Sequence, residues 1–129
     1  MTPGVFKVII AGSRGFNDYG LLRAKVDILL SRKVSALNEI VILSGHCNGA
    51  DLLGEKYARE KKYRVETYLP NWDMYGRAAG PIRNAEMARN ANALIAFWDE
   101  KSPGTKNMIN EAQENKLEIR IIKYKKDTL

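Results

Sequence analysis

Leu43-Ser44-Gly45-His46-Cys47-Asn48-Gly49-Ala50-Asp51 is the segment on which the predicted architecture depends most. Glu39 to Leu43 is typical of a buried strand, and Leu52 to Lys62, on the other side, is typical of a helix. Small, flexible residues at such a turn let several backbone N–H groups point at one spot, and the helix dipole adds partial positive charge there. The stretch therefore predicts a strand–turn–helix unit that suits a phosphate or a carboxylate.

Two other predicted strands end in similar flexible turns. Val5 to Ile10 is rich in β-branched residues and leads into Ala11-Gly12-Ser13-Arg14-Gly15-Phe16. Ala93 to Trp98 is apolar throughout and leads into Asp99-Glu100-Lys101-Ser102-Pro103-Gly104-Thr105. The same kind of turn is thus predicted three times in one chain.

Strands and helices alternate along the rest of the chain. Further strands are predicted at Val65 to Leu69 and Leu117 to Tyr124, and a loop without helical or strand periodicity is predicted from Asn71 to Gly80. A helix with proline at its first position is predicted from Pro81 to about Asn90. Because most strands are apolar on both faces, we predict an α/β domain with a mainly parallel sheet of about five strands and helices on both faces.

Length and composition limit the classes of protein. The 129 residues predict one domain over 1–129, with a core at about 5–122 and a basic tail at 123–129. The longest apolar runs are too short to span a membrane, and Met1 to Gly4 lacks the features of a signal peptide, so a cytoplasmic protein is expected. A single cysteine excludes an internal disulfide, and one cysteine with one histidine argues against a structural zinc site.

The net charge of +6 favours an anionic partner. Much of the excess lies in Lys61 to Arg64 and Lys123 to Lys126, which flank apolar segments and are typical of solvated ends. A nucleic-acid surface is the alternative interpretation of these clusters.

The three flexible turns are expected to meet. Parallel strands bring their carboxyl ends to one edge of the sheet, where open α/β sheets bind ligands. Arg14 and Arg83 add guanidinium groups that suit phosphate oxygens. Gly12 to Gly15 lacks the spacing of a dinucleotide fingerprint, and the chain has no P-loop Gly-Lys-Ser/Thr. A phosphate-bearing ligand is therefore predicted, bound by a turn of another kind.

Four ordered motifs resemble those of the YspA-like (cpYpsA-related) branch of the SLOG superfamily, which groups the Smf/DprA proteins with the LOG phosphoribohydrolases. They are Ala11 to Phe16, Ser44 to Asp51, Tyr75 to Asn84, and Ser102 to Thr105. The likeness covers about Val5 to Ile122. It implies a Rossmann-like fold, a nucleotide or nucleotide-derived (phosphoribosyl) ligand, and a homodimer; no cofactor and no metal are expected.

Ligand contacts are predicted in all of these motifs. The predicted ligand- and phosphate-binding residues are Gly12, Ser13, Arg14, Ser44, Gly45, Gly49, Asp51, Arg83, Gly104 and Thr105. Two of them have alternative roles: Asp51 as the N-cap of its helix, and Arg83 as a contact to a partner subunit.

Three carboxylates are the candidates for a catalytic role. In the phosphoribohydrolases the motif Pro-Gly-Gly-x-Gly-Thr-x-x-Glu carries a catalytic glutamate, but Met108 stands at that position here, and Glu111 lies one turn further along the helix. Asp73 and Asp99 follow predicted strands and are better-placed carboxylates, with turn capping as their alternative role. Hydrolysis of an N-glycosidic bond would need one of these three carboxylates.

Aromatic side chains near the predicted edge could stack on a base. Trp72, Tyr75 and Trp98 are the candidates, and the alternative is that they plug the core or a dimer seam. The pair His46-Cys47 invites a nucleophile–base interpretation, but adjacent loop residues generally point apart, which argues against it.

These observations leave three hypotheses about function. The leading one is binding of a small nucleotide-like ligand, extended to hydrolysis of an N-glycosidic bond. The alternative is a single-stranded nucleic-acid-binding module, because the Smf/DprA relatives bind single-stranded DNA and this chain is basic. A third is an interaction domain that binds no ligand. A membrane partner is not expected.

Overall fold

The computed structural model describes residues 4–36 and 38–125. Within those ranges the strands are β1 (Val5–Gly12), β2 (Glu39–Ser44), β3 (Arg64–Thr67), β4 (Ala93–Trp98) and β5 (Glu118–Lys123). The helices are α1 (Tyr19–Ser35), α2 (Ala50–Lys61), α3 (Trp72–Tyr75), α4 (Ala79–Arg89) and α5 (Pro103–Glu114), with a 3₁₀ turn at Gly76–Ala78. Residues 126–129 of the predicted tail lie outside the described residues.

The five strands form one parallel sheet in the order β3-β2-β1-β4-β5. The chain builds outward from β1 through β2 to β3, and then crosses to the other side of β1 to form β4 and β5. The change of direction lies between β1 and β4, where Gly12 is in register with Phe97. A crevice is expected at the carboxyl end of such a switch point.

The sheet is covered on both faces, and each face has its own apolar cluster. Val8 and Ile10 of β1 pack with α1 and α2, while Ile9 of the same strand packs with α4 and α5. Each buried Val or Ile side chain contributes about 1.5–3 kcal/mol to stability. The predicted α/β class, with a parallel sheet between two helical layers, is confirmed.

The prediction of a loop from Asn71 to Gly80 is wrong. The Asn71 side chain accepts a hydrogen bond from the backbone N–H of Met74 at 3.1 Å and so caps α3. Gly76, with φ of 54°, ends α3, and α4 begins at Ala79, two residues before Pro81. Proline is tolerated there because the first-turn N–H groups of a helix have no partner within the helix.

The third strand is shorter than predicted at its carboxyl end. Thr67 pairs with Ser44, the last residue of β2, and the backbone N–H of Tyr68 still donates to Ser44 O at 2.8 Å. β2 has no further residue with which the ladder could continue. None of the helices in the described ranges is long and apolar enough to cross a membrane.

Candidate ligand-binding site

A cavity of about 610 Å³ lies over the carboxyl ends of β1, β2 and β4. Its volume falls within the roughly 300–1,000 Å³ typical of small-molecule pockets. All of the predicted ligand residues line it except Ser44 and Gly49. The other lining residues include Gly15, Cys47, Trp72, Pro81, Asn84, Met87, Asp99, Ser102, Pro103, Asn107 and Met108.

The N-terminus of α5 opens into this cavity. Its N-cap, Ser102, makes no side-chain capping bond, because its Oγ lies 2.9 Å from Ser13 Oγ and 3.2 Å from Asp99 Oδ2. The first N–H groups of a helix have no partner within the helix, so those at the start of α5 remain available to a ligand. A Cβ added at Gly104 would meet no heavy atom within 4 Å, which leaves space for an anion to approach.

The N-terminus of α2 is closed, although the sequence suggests the same role for it. The backbone N–H of Ala50 donates to Ser13 O at 3.5 Å. Gly49 has φ of 85°, and a Cβ there would lie 2.3 Å from Ser13 O and 2.6 Å from Arg14 O. The glycine therefore lets the turn after β1 pack onto the turn after β2, and it does not line the cavity.

Asp51 is a buried acid in the wall of the cavity. Gly49 is the N-cap of α2, so the N-cap alternative for Asp51 is wrong. Asp51 Oδ2 accepts a hydrogen bond from the backbone N–H of Cys47 at 3.2 Å, and the residue is only 6% exposed. Burial raises the pKa of Asp51 to about 6, and the Cys47 N–H and the Arg83 guanidinium offset only part of that rise. A carboxyl that titrates near neutral pH inside a cavity is typical of a functional site.

Arg83 on α4 is held across the ends of two strands. Its Nη1 donates to Gly45 O at 2.8 Å and to Tyr68 O at 3.4 Å, and its Nε donates to Asn84 Oδ1 at 2.9 Å. A Cβ at Gly45 would lie 2.6 Å from Nη1, so the glycine leaves room for the guanidinium. Among the residues that the structure describes, the Nη2 group has only a 4.0 Å contact, with Cys47 Sγ. The positive charge is thereby fixed at the cavity wall.

Asp99 is the other carboxylate that lines the cavity in the described ranges. Desolvation raises its pKa, but hydrogen bonds from the N–H groups of Lys101 and Ser102, at 2.9 and 2.8 Å, outweigh that effect and lower the pKa to about 2. Asp99 thus caps its own turn and is ionised at neutral pH. Such a group can accept a proton or a hydrogen bond, but it cannot act as a general acid.

The other two predicted catalytic carboxylates lie away from the cavity. Asp73 is exposed on α3, and Glu111 lies on α5 beyond the residues that line the cavity. Met108, which stands where the phosphoribohydrolase motif has its glutamate, is buried and lines the cavity. The structure therefore does not bring Asp73 or Glu111 to the other predicted site residues.

The three candidate aromatics are placed differently. Trp72 lines the cavity and is 51% exposed. Tyr75 is exposed on α3 outside the lining. Trp98 also lies outside it, packs against the apolar cluster beneath α4 and α5, and donates its Nε1–H to Ser102 O at 3.2 Å. Of the three, Trp72 alone can reach a ligand in this cavity.

Ser44 lies behind the cavity and shapes the turn. Its Oγ donates to Glu55 Oε2 at 2.7 Å and accepts from the backbone N–H of His46 at 3.0 Å. His46, with φ of 59°, places its Nδ1 2.7 Å from the same Glu55 oxygen. The histidine ring is therefore engaged with Glu55 rather than with Cys47. The described ranges contain no group of three His, Cys, Asp or Glu side chains that could hold a metal ion.

Asn84 and Asn107 line the cavity but were not predicted as site residues. Asn84 directly follows Arg83 and is 6% exposed. Asn107 lies three residues after Gly104, on the same face of α5. Helical spacing from Gly104 would have been a signal for Asn107, whereas the burial of Asn84 depends on the packing of α4 against α5.

A parallel sheet between helical layers, with a cavity at its switch point, defines a Rossmann-like domain. The chain belongs to the YspA, cpYpsA-related SLOG family, whose model matches residues 6–75. It is similar to the Gene 61 protein of Mycobacterium phage D29, with 32% identity over 115 residues that cover 84% of this chain and 89% of that protein. The resemblance noted in the motifs is confirmed.

A solved structure supports the fold. The DNA processing protein A (DprA) of Streptococcus pneumoniae superposes with a TM-score of 0.67 over 92% of this chain, at 18% sequence identity. The match spans 50% of the DprA chain, so the likeness concerns about half of that protein. At that identity the likeness shows the fold alone.

Proposed function

We propose that this protein binds a nucleotide or a nucleotide-derived phosphoribosyl ligand in the cavity, with a phosphate at the N-terminus of α5. The observation that carries the proposal is the open, uncapped start of α5, where Gly104 leaves free space beside unpartnered N–H groups. An anion there is stabilised both by hydrogen bonds from those groups and by the helix dipole.

The other walls suit the rest of such a ligand. Arg14 and Arg83 add positive charge on the sides formed by β1 and α4. The Asp51 carboxyl can accept a hydrogen bond from a ribose hydroxyl, and the half-exposed ring of Trp72 can stack on a base. The cavity volume of about 610 Å³ accommodates one nucleotide.

Binding is tested by calorimetry and thermal shift with nucleoside mono-, di- and cyclic phosphates. A ligand that binds only the native state stabilises it by RT ln(1 + [L]/Kd), which is about 2.7 kcal/mol at a hundredfold excess over Kd. Arg14→Gln is expected to weaken binding about three- to tenfold, because it removes a charge that lines the cavity. The matched control is Arg89→Gln, which removes the same charge from an exposed position outside the lining. The absence of any shift with the whole panel would contradict the proposal.

Hydrolysis of an N-glycosidic bond is the catalytic extension of this proposal. The reaction needs a carboxylate that activates water or stabilises an oxocarbenium ion. Asp99 is ionised and lines the cavity, and Asp51, with its pKa of about 6, is the second carboxyl there. The assay is release of free base from nucleoside monophosphates. Absence of release by the wild type would refute the reaction, and unchanged release by both Asp99→Asn and Asp51→Asn would remove these two carboxyls as its catalytic groups.

A nucleic-acid-binding module is the second candidate, favoured by the net charge of +6. Binding to a single-stranded oligonucleotide would then weaken steeply with salt, with a logarithmic slope of about −0.7 for each phosphate neutralised. Strong, salt-dependent oligonucleotide binding without mononucleotide binding would replace the leading proposal. A flat salt response would remove the alternative.

A further inference from the structure

A chain of hydrogen bonds runs from Arg83 through Asn84 to Asn107. The chemical nature of the groups determines which atom donates and which accepts in each bond. A guanidinium has only donors, so the Arg83 Nε–H, 2.9 Å from Asn84 Oδ1, must donate to that oxygen. The amide of Asn84 is thereby oriented, with its Oδ1 toward Arg83 and its Nδ2 on the other side. This assignment does not depend on how the amide oxygen and nitrogen are told apart.

The second link fixes the orientation of Asn107. Asn84 Nδ2 lies 3.4 Å from Gly104 O and 2.9 Å from Asn107 Oδ1. A backbone carbonyl can only accept, which agrees with Nδ2 as the donor. Since Asn84 is only 6% exposed, water does not compete freely for these bonds. Asn107 therefore turns its oxygen toward Asn84, and its own Nδ2 is left as a donor.

The residue that carries this donor, Asn107, belongs to the wall of the cavity. Asn107 lines it and lies on the same face of α5 as Gly104. Within residues 4–36 and 38–125 the Asn107 Nδ2 makes no hydrogen bond, although its Oδ1 is held by a buried partner. An amide fixed in this way is preorganised to donate to an acceptor that enters the cavity.

We propose that Asn107 contacts the ligand directly and that its Nδ2 donates to a phosphate oxygen bound at the N-terminus of α5. Asn84 is then a positioning residue, which holds the Asn107 amide in the donating orientation. This inference rests on the proposed function and deepens it, because it adds a side-chain donor to the backbone N–H groups of the phosphate site. The donor lies on the Gly104 face of α5, which favours phosphate over sugar or base as the acceptor.

The structure offers a nearly isosteric variant to test this. Asn107→Asp keeps an oxygen that accepts from Asn84 Nδ2, but it replaces the cavity-side donor with an anionic oxygen that repels phosphate. The matched control is Asn110→Asp, which adds the same charge at an exposed position of the same helix outside the cavity lining.

The experiment is calorimetry with the nucleoside 5′-monophosphate that the wild type binds most tightly, and with the matching nucleoside, which has no phosphate. Asn107→Asp is expected to weaken binding of the monophosphate at least about tenfold, because a hydrogen bond to an anion is lost and a like charge is introduced. Its affinity for the nucleoside should stay within about twofold of the wild type, and Asn110→Asp should match the wild type for both probes.

The outcomes separate this inference from the function on which it rests. If the wild type binds no nucleotide, both fail. If Asn107→Asp binds the monophosphate as tightly as the wild type does, the inference alone is overturned. If the nucleoside loses as much affinity as the monophosphate, Asn107 contacts sugar or base and the phosphate assignment is overturned. Should Asn107→Asp not fold, Asn107→Ala is measured instead, with a smaller, phosphate-specific loss of about three- to tenfold expected.

Discussion

The N-termini of α2 and α5 lie at the same edge of the sheet and neither has a side-chain cap, yet one is closed and the other is open. At α2 the Ser13 carbonyl accepts from the N–H of Ala50, and the carbonyls of Ser13 and Arg14 press against Gly49. At α5 a Cβ added at Gly104 would meet no atom of the described residues outside its own helix turn within 4 Å. Similar glycine-containing turns therefore serve two purposes, packing at one helix and ligand access at the other.

The N-termini of α2 and α5 also differ in the charge of their first turns. The first turn of α2 carries Asp51, whose carboxyl faces the cavity and disfavours a phosphate beside it when ionised. The first turn of α5 carries no acidic residue. A flexible strand-to-helix turn therefore indicates only where backbone N–H groups converge. Neighbouring elements decide whether those groups remain available.

The largest change in stability is expected from Gly49→Ala at the start of α2. Gly49→Ala is expected to lower the free energy of unfolding by about 3 kcal/mol, from backbone strain at φ of 85° and a Cβ that would lie 2.3 Å from Ser13 O. For a chain of this size, Tm would fall by roughly 10 °C, which differential scanning calorimetry measures. An unchanged Tm would show that the close packing at α2 is not required.

The pH dependence of stability tests the electrostatic half of the comparison. Because the pKa of Asp51 is raised from 3.8 to about 6, its contribution to stability is fully present below about pH 4 and is lost as pH rises through 6. Relative to Asp51→Asn, the wild type should lose up to about 3 kcal/mol of unfolding free energy between pH 4 and 7, as measured by urea titration.

Asp99→Asn is the matched control for that titration. The pKa of Asp99 is lowered to about 2, so its contribution is present above about pH 4 and is lost as pH falls through 2. Relative to Asp99→Asn, the unfolding free energy of the wild type should therefore rise with pH, whereas relative to Asp51→Asn it falls with pH. The rise should occur in a more acidic pH range. Equal slopes for the two pairs would contradict the burial of Asp51.

Gly104→Ala should separate binding from stability at α5. The added methyl group meets no protein atom, and alanine is favoured over glycine in a helix, so the free energy of unfolding should rise by about 0.5 kcal/mol. The methyl group would occupy space needed by the phosphate, so nucleotide affinity should fall about tenfold. Binding calorimetry measures the expected fall in affinity, and a melting curve measures the expected rise in stability. Undiminished affinity would place the phosphate elsewhere.

The smallest loss of affinity is expected at Trp72, which lies on α3 and lines the cavity. Trp72→Ala removes the aromatic ring proposed to stack on a base, so affinity should fall about fivefold for a nucleoside and its monophosphate alike. Trp72→Phe keeps a ring and should retain most of the binding. A loss confined to the phosphorylated probe would mean that Trp72, and not only α5, belongs to the phosphate site.

The fold was largely predictable because its signal is local. The strands β1, β2 and β4 are apolar on both faces, and each is followed by a turn and a helix, which is the pattern of a covered parallel sheet. The segment from Asn71 to Gly80 escaped prediction because its short helix depends on one cap, Asn71, rather than on hydrophobic periodicity. The end of β3 depends on the length of its neighbour, which no pattern within β3 itself records.

The site was predictable only in outline. The motifs indicated which turns meet and included Asp51, which lines the cavity, but they also included Ser44 and Gly49, which lie outside the cavity lining. The burial of Asp51 and the relay from Asn84 to Asn107 arise from contacts between elements far apart in the chain. Such contacts depend on tertiary packing, which short sequence patterns do not encode.

The contact between Ser13 and Ser102 has a consequence for how the cavity assembles. The two hydroxyls join chain positions 89 residues apart, so closing this contact costs loop-closure entropy, which long-range contacts such as the pairing of β1 with β4 must offset. We therefore expect the cavity to form late in folding. The segment that identifies the family, residues 6–75, ends before β4 and α5. A nascent chain would display the first two motifs, Ala11 to Phe16 and Ser44 to Asp51, before the strand and the helix that complete the cavity have emerged.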